Sequence, residues 1–333
     1  MIVSNSKTAL ADDLIICRIL NGMWQVSGGH GQINQESAIL EMLEYHKTGF
    51  TTWDLADIYG PAESYIGEFR KQLPPKELSK SQALTKFVPN PGPMTKSIVE
   101  YHIEQSLHKM NIDSLDLVQF HWWDYNNPSY LDALSHLSKL RDDGKIKHLG
   151  LTNFDTTRVK IMIEKGFKLV SNQVQYSILD QRPEKLMAPF CQKHGMHLLT
   201  YGTLLGGFLS EKYLDSPDPH RADLVTSSLQ KYHNMIDAWG GWKLFQELLH
   251  ALSQIAKKHD SSIANVSTKF ILDKPAVAGV IIGARLGISE HREDNARVFD
   301  LQLDSQDHTM LNSVIGKSND LFDIIGDCGD EYR

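Results

Sequence analysis

The chain has 333 residues, of which 41% are hydrophobic and 23% charged, and its 34 basic and 41 acidic side chains give a net charge of −7. This balance excludes disordered, collagen-like and low-complexity proteins. The negative charge argues against nucleic acid as the main partner, although a local basic site could still hold a phosphate. The three cysteines are far apart and odd in number, which indicates free thiols in a reducing compartment.

The sequence carries no sign of export or membrane insertion. Its first residues lack an apolar core long enough for a secretory signal. The longest apolar run, residues 276–284, is far shorter than the ~20 residues that span a bilayer. We therefore expect a cytoplasmic protein.

Short apolar segments alternate with amphipathic helical segments along most of the chain, as parallel strands covered on both faces do. The eight predicted strands are Leu20–Gln25, Gly49–Ala56, Ala83–Val88, Leu115–Trp123, Ile146–Phe154, Leu169–Tyr176, His197–Leu204 and Ala278–Ala284. Eight strand–helix units favour an α/β fold of the (β/α)8 or TIM-barrel type over a doubly wound sheet. No linker divides the chain, so residues 1–333 are predicted to form a single domain.

Two segments interrupt this alternation. Residues 210–241, after the seventh strand, are mixed in composition and are predicted to form a long loop that acts as a lid, binds a ligand or is disordered. The polar tail over residues 317–333 is predicted to be loosely held. Elsewhere, Asn34 is predicted to cap the helix after the first strand, and Asp155 or Thr156 the helix after the fifth.

Ionisable side chains lie at the ends of predicted strands two to four, where barrels carry their functional residues. Singly, Asp54, Lys86 and His121 could be a cap, a loop charge and a core histidine. If Asp54 and Lys86 are buried together, they are expected to form an ion pair, because an unpaired buried charge costs several kcal/mol. A lysine cation near the Tyr59 hydroxyl would lower the tyrosine pKa from about 10 towards neutrality.

These four residues together describe a specific chemistry. A tyrosine with a lowered pKa can give a proton to a carbonyl oxygen or take one from an alcohol. His121 would donate a hydrogen bond that orients this oxygen and stabilises its developing charge. The set predicts carbonyl reduction or alcohol oxidation if a hydride source is present. No G-x-G-x-x-G motif follows a predicted strand, so the residues alone do not support a Rossmann-type nicotinamide site.

The motif D-x-A-D-x-Y-G at residues 54–60, followed by Lys86 and His121, resembles the signature of the aldo-keto reductases. The resemblance runs from about Leu20 to Leu303. Within the family, the sequence is similar to the branch that includes potassium-channel β-subunits and bacterial aldo/keto reductases. It implies a nicotinamide cofactor bound across the barrel mouth without a Rossmann motif.

The resemblance also implies which residues hold that cofactor. Around the nicotinamide and its ribose these are Gly22, Met23, Thr152, Asn153, Gln173 and Tyr201. Around the pyrophosphate they are Gly202, Thr203, Leu204, Leu205, Gly207 and Lys212. At the adenosine end they are Gly283, Arg285, His291, Asp294 and Asn295.

Three positions bear on how this cofactor is held. Arg285 suits the 2′-phosphate of NADP, and we expect NADP(H), with NAD(H) as the alternative. Gly202 stands where this branch of the family has Ser, and His291 where the family has Gln or Arg. The structural alternative for Thr152 and Asn153 is that they cap the next helix.

The substrate is expected to be a small carbonyl compound or alcohol. Trp24 and Trp122 are the predicted aromatic wall of its pocket, with Trp123 packed in the core, and no metal site is predicted. One rival hypothesis is a cofactor-binding regulatory subunit of a larger assembly. The other is a barrel lyase that uses Lys86 as a Schiff base. Oligomeric state is not fixed by the sequence.

Overall fold

Eight parallel strands close into a barrel in the computed structural model, which describes residues 6–28 and 33–332. A hairpin of β1 (Lys7–Ala11) and β2 (Leu14–Cys17) precedes the barrel. The barrel strands are β3 (Ile19–Gly22), β4 (Thr52–Asp54), β5 (Gln82–Phe87), β6 (Leu115–His121), β7 (Ile146–Thr152), β8 (Ser171–Gln175), β9 (His197–Tyr201) and β10 (Val277–Gly283). Strands pair in chain order, and β10 pairs with both β9 and β3. The eight strands and the single-domain barrel fold predicted from the sequence are confirmed.

The hairpin closes the far end of the barrel. Leu10, Leu14 and Ile16 pack in one buried cluster with interior leucines of the barrel, which are Leu20, Leu84, Leu117 and Leu199. The strands β1 and β2 were not predicted from the sequence. The first barrel strand is also shorter than predicted, since a 3-10 turn over Trp24–Ser27 follows Gly22 and Met23.

Helices cover the barrel. They are α1 (Gln35–Thr48), α2 (Ala62–Lys71), α3 (Pro75–Leu78), α4 (Lys96–Met110), α5 (Tyr130–Asp142), α6 (Thr156–Glu164), α7 (Met187–Lys193), α8 (Ser227–Trp239), α9 (Gly241–Lys258), α10 (Ile263–Leu272), α11 (Arg292–Arg297), α12 (Ser305–Ile315) and α13 (Leu321–Ile325). The Asn34 side chain caps α1 and that of Asp155 caps α6, as predicted. Among the described residues, no helix is both long and apolar enough to span a bilayer.

The segment predicted as a loop over residues 210–241 contains a helix. Its second half forms α8, which buries Tyr232, Met235, Ile236 and Trp239 against the rest of the protein. Thr226 caps this helix by accepting a hydrogen bond from the backbone of Leu229 at 3.2 Å. The prolines and glycines that suggested a loop lie before and after α8, so the apolar spacing inside it was overlooked. Residues 214–220 and 224–226 remain irregular.

The tail predicted to be loosely held packs on the barrel instead. After α12, the helix α13 and a 3-10 turn over Asp330–Tyr332 follow. Leu321 and Cys328 are buried, at 3% and 2% exposure. The last residue of the predicted tail, Arg333, lies outside the described residues.

The strand register brings the candidate residues to one rim of the barrel. Lys86 on β5 lies opposite Gln119 on β6, and His121 at the end of β6 lies opposite Thr152 on β7. Thr152 in turn lies opposite Gln173 on β8. Because the carboxyl ends of parallel strands meet at one face, these side chains converge on the mouth that barrels use for binding and catalysis.

Candidate active site

A buried ion pair joins the ends of β4 and β5. The Lys86 ammonium lies 2.6 Å from Asp54 Oδ2 and donates to the carbonyl oxygen of Leu55 at 3.0 Å. Both side chains are almost wholly buried, at 3% and 5% exposure. Burial lowers the pKa of Lys86, and the charge and hydrogen bond of Asp54 oppose this shift. The ion pair expected from the sequence is therefore present.

Two glutamine side chains hold the other oxygen of this carboxylate. Gln119 Nε2 donates to Asp54 Oδ1 at 2.9 Å, and Gln173 Nε2 donates to the same atom at 2.7 Å. Gln173 Nε2 also lies 2.7 Å from Gln119 Oε1, which links the two amides. Gln119 was not predicted as a site residue, although a glutamine between apolar residues inside a strand is a signal for a buried polar role. With all partners in place, the carboxylate is fixed in one orientation.

Tyr59 lies on the turn that follows β4. The Lys86 ammonium is 5.1 Å from the centroid of its ring. The turn is held by a hydrogen bond from the Tyr59 amide to the carbonyl oxygen of Ala56 at 3.1 Å, and Gly60 adopts a left-handed φ of 55°. Trp24 meets the tyrosine ring edge-on, with centroids 5.0 Å apart. Tyr59 is thus placed beside a buried cation.

Asp57 is a second carboxylate close to Lys86, and the sequence analysis gave it no role. Its oxygens accept a hydrogen bond from the backbone of Val88 at 3.2 and 3.3 Å. Burial raises the pKa of Asp57 to about 7, and the negative charge of Glu63 adds to this shift. Near neutral pH the charge around Lys86 therefore changes with the protonation of Asp57.

His121 ends β6 and is 4% exposed, with its ring centroid 4.2 Å from that of Trp123. The predicted roles of the two neighbouring tryptophans are wrong. Trp122 is fully buried, and its indole N–H donates to the carbonyl oxygen of Asp124 at 2.7 Å, so it belongs to the core. Trp123 and Trp24 are each 40% exposed. Trp122 packs beside Phe120, with ring centroids 6.0 Å apart, so strand alternation continues past the end of β6 and places Trp123 on the side of His121.

The residues expected at a nicotinamide carboxamide lie at the carboxyl ends of β7, β8 and β9. Asn153 has a left-handed φ of 57°, a conformation that costs free energy in a non-glycine residue and is concentrated at functional sites. Its side-chain oxygen accepts a hydrogen bond from the Tyr201 hydroxyl at 2.9 Å. The hydroxyl oxygen of Thr152 is buried and has no hydrogen-bond partner among the described residues. A primary amide could satisfy such a group, which fits this predicted role.

The chain turns sharply after β9, where pyrophosphate contacts are expected. Gly202, Leu205, Gly206 and Gly207 all have left-handed φ angles, of 72°, 50°, 66° and 105°. A side chain on Gly202 would collide with the Tyr232 hydroxyl of α8, which explains why glycine stands there. The remaining residues expected in this segment are Thr203, which is buried, Leu204, which is half-buried, and Lys212, which is exposed.

The residues expected at the adenosine end of the cofactor are more exposed than those expected at the nicotinamide. Gly283 at the end of β10 is exposed, as are Arg285 and His291 on the turn between β10 and α11. Asp294 and Asn295 begin α11, and the Asp294 carboxylate accepts hydrogen bonds from Ser262 at 3.0 Å and Asn265 at 3.1 Å, at the start of α10. These five residues are therefore near one another along one turn and helix.

Acidic side chains also surround this turn. The carboxylate of Glu41 on α1 accepts a hydrogen bond from the backbone of Gly287. Glu290 lies 3.0 Å from Arg292 and forms part of the same groove. The turn is consequently less basic than Arg285 alone suggests.

The sequence matches the model of the Aldo/keto reductase family over residues 18–315. The NADH-specific methylglyoxal reductase of Escherichia coli strain K12 is 22% identical over 328 residues, covering 91% of this chain and 95% of that protein. The aldo-keto reductase YhdN of Bacillus subtilis strain 168 is 24% identical over 331 residues, covering 96% of each chain. The flagellar radial spoke protein 5 of Chlamydomonas reinhardtii is 27% identical over 259 residues, and the match spans 49% of its length.

Solved structures share the fold. The glycerol dehydrogenase from Gluconobacter oxydans superimposes with a TM-score of 0.79 at 20% identity, covering 95% of this chain and 96% of that one. A thermostable aldo-keto reductase, Tm1743, gives a TM-score of 0.72 at 23% identity, covering 92% and 99%. The structural likeness supports the barrel fold, and the family match covers nearly all of the chain. The chain therefore belongs to the aldo/keto reductase family, whose members are oxidoreductases that use nicotinamide cofactors.

Proposed function

We propose that the protein reduces aldehydes or ketones to alcohols, or runs the reverse reaction, with a nicotinamide cofactor and with Tyr59 as the general acid and base. The observation that carries this proposal is the placement of Lys86. Its buried ammonium is 2.6 Å from Asp54 and 5.1 Å from the ring centroid of Tyr59. A cation in this position favours the phenolate form of the tyrosine.

The proposed proton transfer follows from the placement of Lys86 beside Tyr59. In the reductive direction Tyr59 gives its hydroxyl proton to the carbonyl oxygen, and Lys86 stabilises the phenolate that remains until solvent returns a proton. In the oxidative direction the phenolate takes the proton of the alcohol. Asp54 keeps Lys86 charged despite its burial, and Gln119 and Gln173 hold Asp54 in place.

The cofactor, when bound, supplies the hydride that adds to the carbonyl carbon. The residues suited to hold its nicotinamide are Thr152, Asn153, Gln173 and Tyr201, at the ends of β7, β8 and β9. The unsatisfied hydroxyl of Thr152 supports a ligand with an amide group at this position. Gly22 and Met23, at the end of β3, complete this side of the mouth, and both are buried.

His121 and an apolar rim would receive the substrate. A ring N–H of His121 is positioned at the end of β6 to donate to the carbonyl oxygen. Trp24, Ile58 and Trp123 are 40%, 50% and 40% exposed around the same mouth. This surface favours substrates with an aromatic or aliphatic group next to the carbonyl.

For the cofactor we propose NADP(H), because Arg285 is exposed and available to pair with a 2′-phosphate. NAD(H) is the second candidate, favoured by the carboxylates of Glu41 and Glu290 around the same turn and by the relative named as NADH-specific. Titration of the intrinsic tryptophan fluorescence with NADPH and NADH decides between them, since Trp24 and Trp123 lie at the mouth.

Transfer of deuterium tests the reaction itself. With reduced cofactor that carries deuterium at the transferable position, and with an aromatic aldehyde, the alcohol is expected to carry one deuterium on its carbinol carbon. Mass spectrometry and NMR of the product measure this. Tight cofactor binding without transfer to any of a panel of aliphatic and aromatic carbonyls would instead support the regulatory-subunit hypothesis. Trapping of substrate on Lys86 by borohydride would support the lyase.

A further inference from the structure

The C-terminal segment, residues 317–332, crosses the outside of α8 and returns to the nicotinamide side of the mouth. Asn319 donates through its backbone to the carbonyl oxygen of Trp239 at 2.8 Å and through its side chain to that of Ala238 at 2.9 Å. Further along, the Asp327 carboxylate accepts a hydrogen bond at 2.7 Å from the backbone of Thr156, at the start of α6. The segment is therefore tied to two elements that flank the mouth.

A buried arginine ties the end of this segment to the barrel. Arg182, after β8, is fully buried and is held by Asp180 through two hydrogen bonds of 2.7 and 2.9 Å. It donates to the carbonyl oxygen of Asp327 at 3.1 Å, and its guanidinium lies 3.0 Å from Glu331 Oε2. The Glu331 side chain is itself only 6% exposed. The buried ion pair of Arg182 and Glu331 therefore holds the end of the C-terminal segment against the barrel.

The other oxygen of Glu331 reaches Tyr201. The Tyr201 hydroxyl lies 3.2 Å from Glu331 Oε1 and 2.9 Å from Asn153 Oδ1. A phenol has one proton, so it can donate a strong hydrogen bond to only one of these two oxygens at a time. Tyr201 and Asn153 are the residues proposed above to contact the nicotinamide ring and its carboxamide.

We propose that Glu331 is a positioning residue for the cofactor, which couples docking of the C-terminal segment to occupation of the nicotinamide site through Tyr201. This inference rests on the proposed function. A carboxamide N–H that donated to Asn153 Oδ1 would compete with the Tyr201 hydroxyl for that oxygen and would shift the Tyr201 proton towards Glu331. Cofactor binding thus strengthens the contact that holds the segment, and by reciprocity the docked segment raises cofactor affinity.

Two readouts test this coupling without measuring turnover. In the wild-type protein, cofactor is expected to slow hydrogen exchange and limited proteolysis over residues 317–332. Glu331→Gln, which keeps the shape of the side chain but loses its charge, is expected to raise the dissociation constant for cofactor about tenfold, in line with loss of a charge-assisted hydrogen bond. It is also expected to abolish the protection of the segment by cofactor. Asp323→Asn, an exposed substitution in α13, is the matched control and should change neither quantity.

Tyr201→Phe isolates the hydroxyl, because it leaves the ring and the Arg182–Glu331 pair in place. It should also remove the protection of residues 317–332 by cofactor, and combining it with Glu331→Gln should add little further loss of affinity. A double variant whose losses in affinity simply add, or single variants with wild-type affinity and protection, would overturn the inference. If the wild-type protein binds neither NADPH nor NADH, both the inference and the proposed function fail. If it binds and reduces carbonyls while the variants behave as wild type, only the inference fails.

Discussion

The two ends of the proposed cofactor site are built in different ways. At the nicotinamide end, Asp54, Lys86 and His121 stand on barrel strands and are at most 5% exposed. At the adenosine end, Arg285 and His291 stand on an exposed turn with acidic neighbours. The strand register fixes the first set, whereas the second depends on the conformation of one connection. The buried residues proposed for catalysis are therefore preorganised by the barrel, whereas the exposed residues proposed to set cofactor preference lie on a turn that can change conformation.

The largest effects are expected at the buried end. Replacing Lys86 by Met leaves the Asp54 carboxylate buried without its cation, which should lower the free energy of unfolding by about 3–5 kcal/mol. It also removes the charge that tunes Tyr59, so kcat should fall by about 10²–10⁴-fold, the range for general acid–base catalysis. Urea unfolding measures the change in unfolding free energy, and steady-state kinetics measure the change in kcat.

Lys139→Met is the control for this substitution. Lys139 pairs with Asp143 at 2.7 Å on the surface, with exposures of 66% and 50%. Such pairs contribute about 0–1 kcal/mol, so stability and kcat should stay near wild type. Equal effects of the two substitutions would show that the buried pair has no special role.

The neighbouring tryptophans separate core packing from substrate contact. Trp122→Ala should lower the free energy of unfolding by about 3–5 kcal/mol, because it empties a fully buried site. Trp123→Ala should change stability by only about 0.5 kcal/mol but raise KM for aromatic carbonyls. Thermal or urea unfolding measures the change in stability. The KM values for an aromatic and a short aliphatic aldehyde measure the change in substrate contact. The reverse pattern would restore the assignment predicted from the sequence.

At the adenosine end, Arg285→Gln should weaken NADPH binding about tenfold, the size expected for a hydrogen bond to a charged group. NADH binding and kcat at saturating cofactor should stay unchanged, because Arg285 lies on the turn after β10, whereas Tyr59 lies on the turn after β4 and Lys86 on β5. Fluorescence titration with both cofactors measures the difference. Equal losses for NADPH and NADH would mean that Arg285 does not read the 2′-phosphate.

The last prediction concerns pH. The pKa of Asp57 is about 7 in the folded protein, above its ordinary value of 3.8, so the folded state binds the proton more tightly than the unfolded state. The stability that this provides is full below pH 3.8 and is lost as pH rises through 7. Relative to Asp57→Asn, the wild-type protein should therefore lose unfolding free energy as the pH rises from 4 to 7. Urea unfolding at both pH values measures this, and parallel curves for the two proteins would contradict the assignment.

The same contrast explains what the sequence could predict. Barrel strands such as β4, β6 and β7 end in a polar residue (Asp54, His121 and Thr152), so their positions and functional ends can be predicted from the sequence. The roles of Trp122 and Trp123 were assigned wrongly, because strand alternation continued from β6 places Trp122 beside Phe120 in the core and Trp123 on the side of His121. Gln119 was missed because a single glutamine in an apolar strand gives no hint of its partner, Asp54, which lies 65 residues away.

Segments outside the strands were predicted least well. The helix α8 and the packed C-terminal segment are stabilised by tertiary contacts, such as those of Arg182 with Asp327 and Glu331, that join residues more than 140 positions apart. Composition reports the polarity of such a segment but not the buried partner that holds it. This is also why Glu331 could not be anticipated.

The most direct test of the account is the substitution Tyr59→Phe, assayed for both turnover and cofactor binding. It removes one hydroxyl and keeps the ring that packs against Trp24 and Lys86. Carbonyl reduction should become undetectable, while the dissociation constant for cofactor, from tryptophan fluorescence, should stay within about twofold of wild type, a change worth about 0.4 kcal/mol. Normal carbonyl reduction by this variant would contradict the assignment of Tyr59 as the general acid and base.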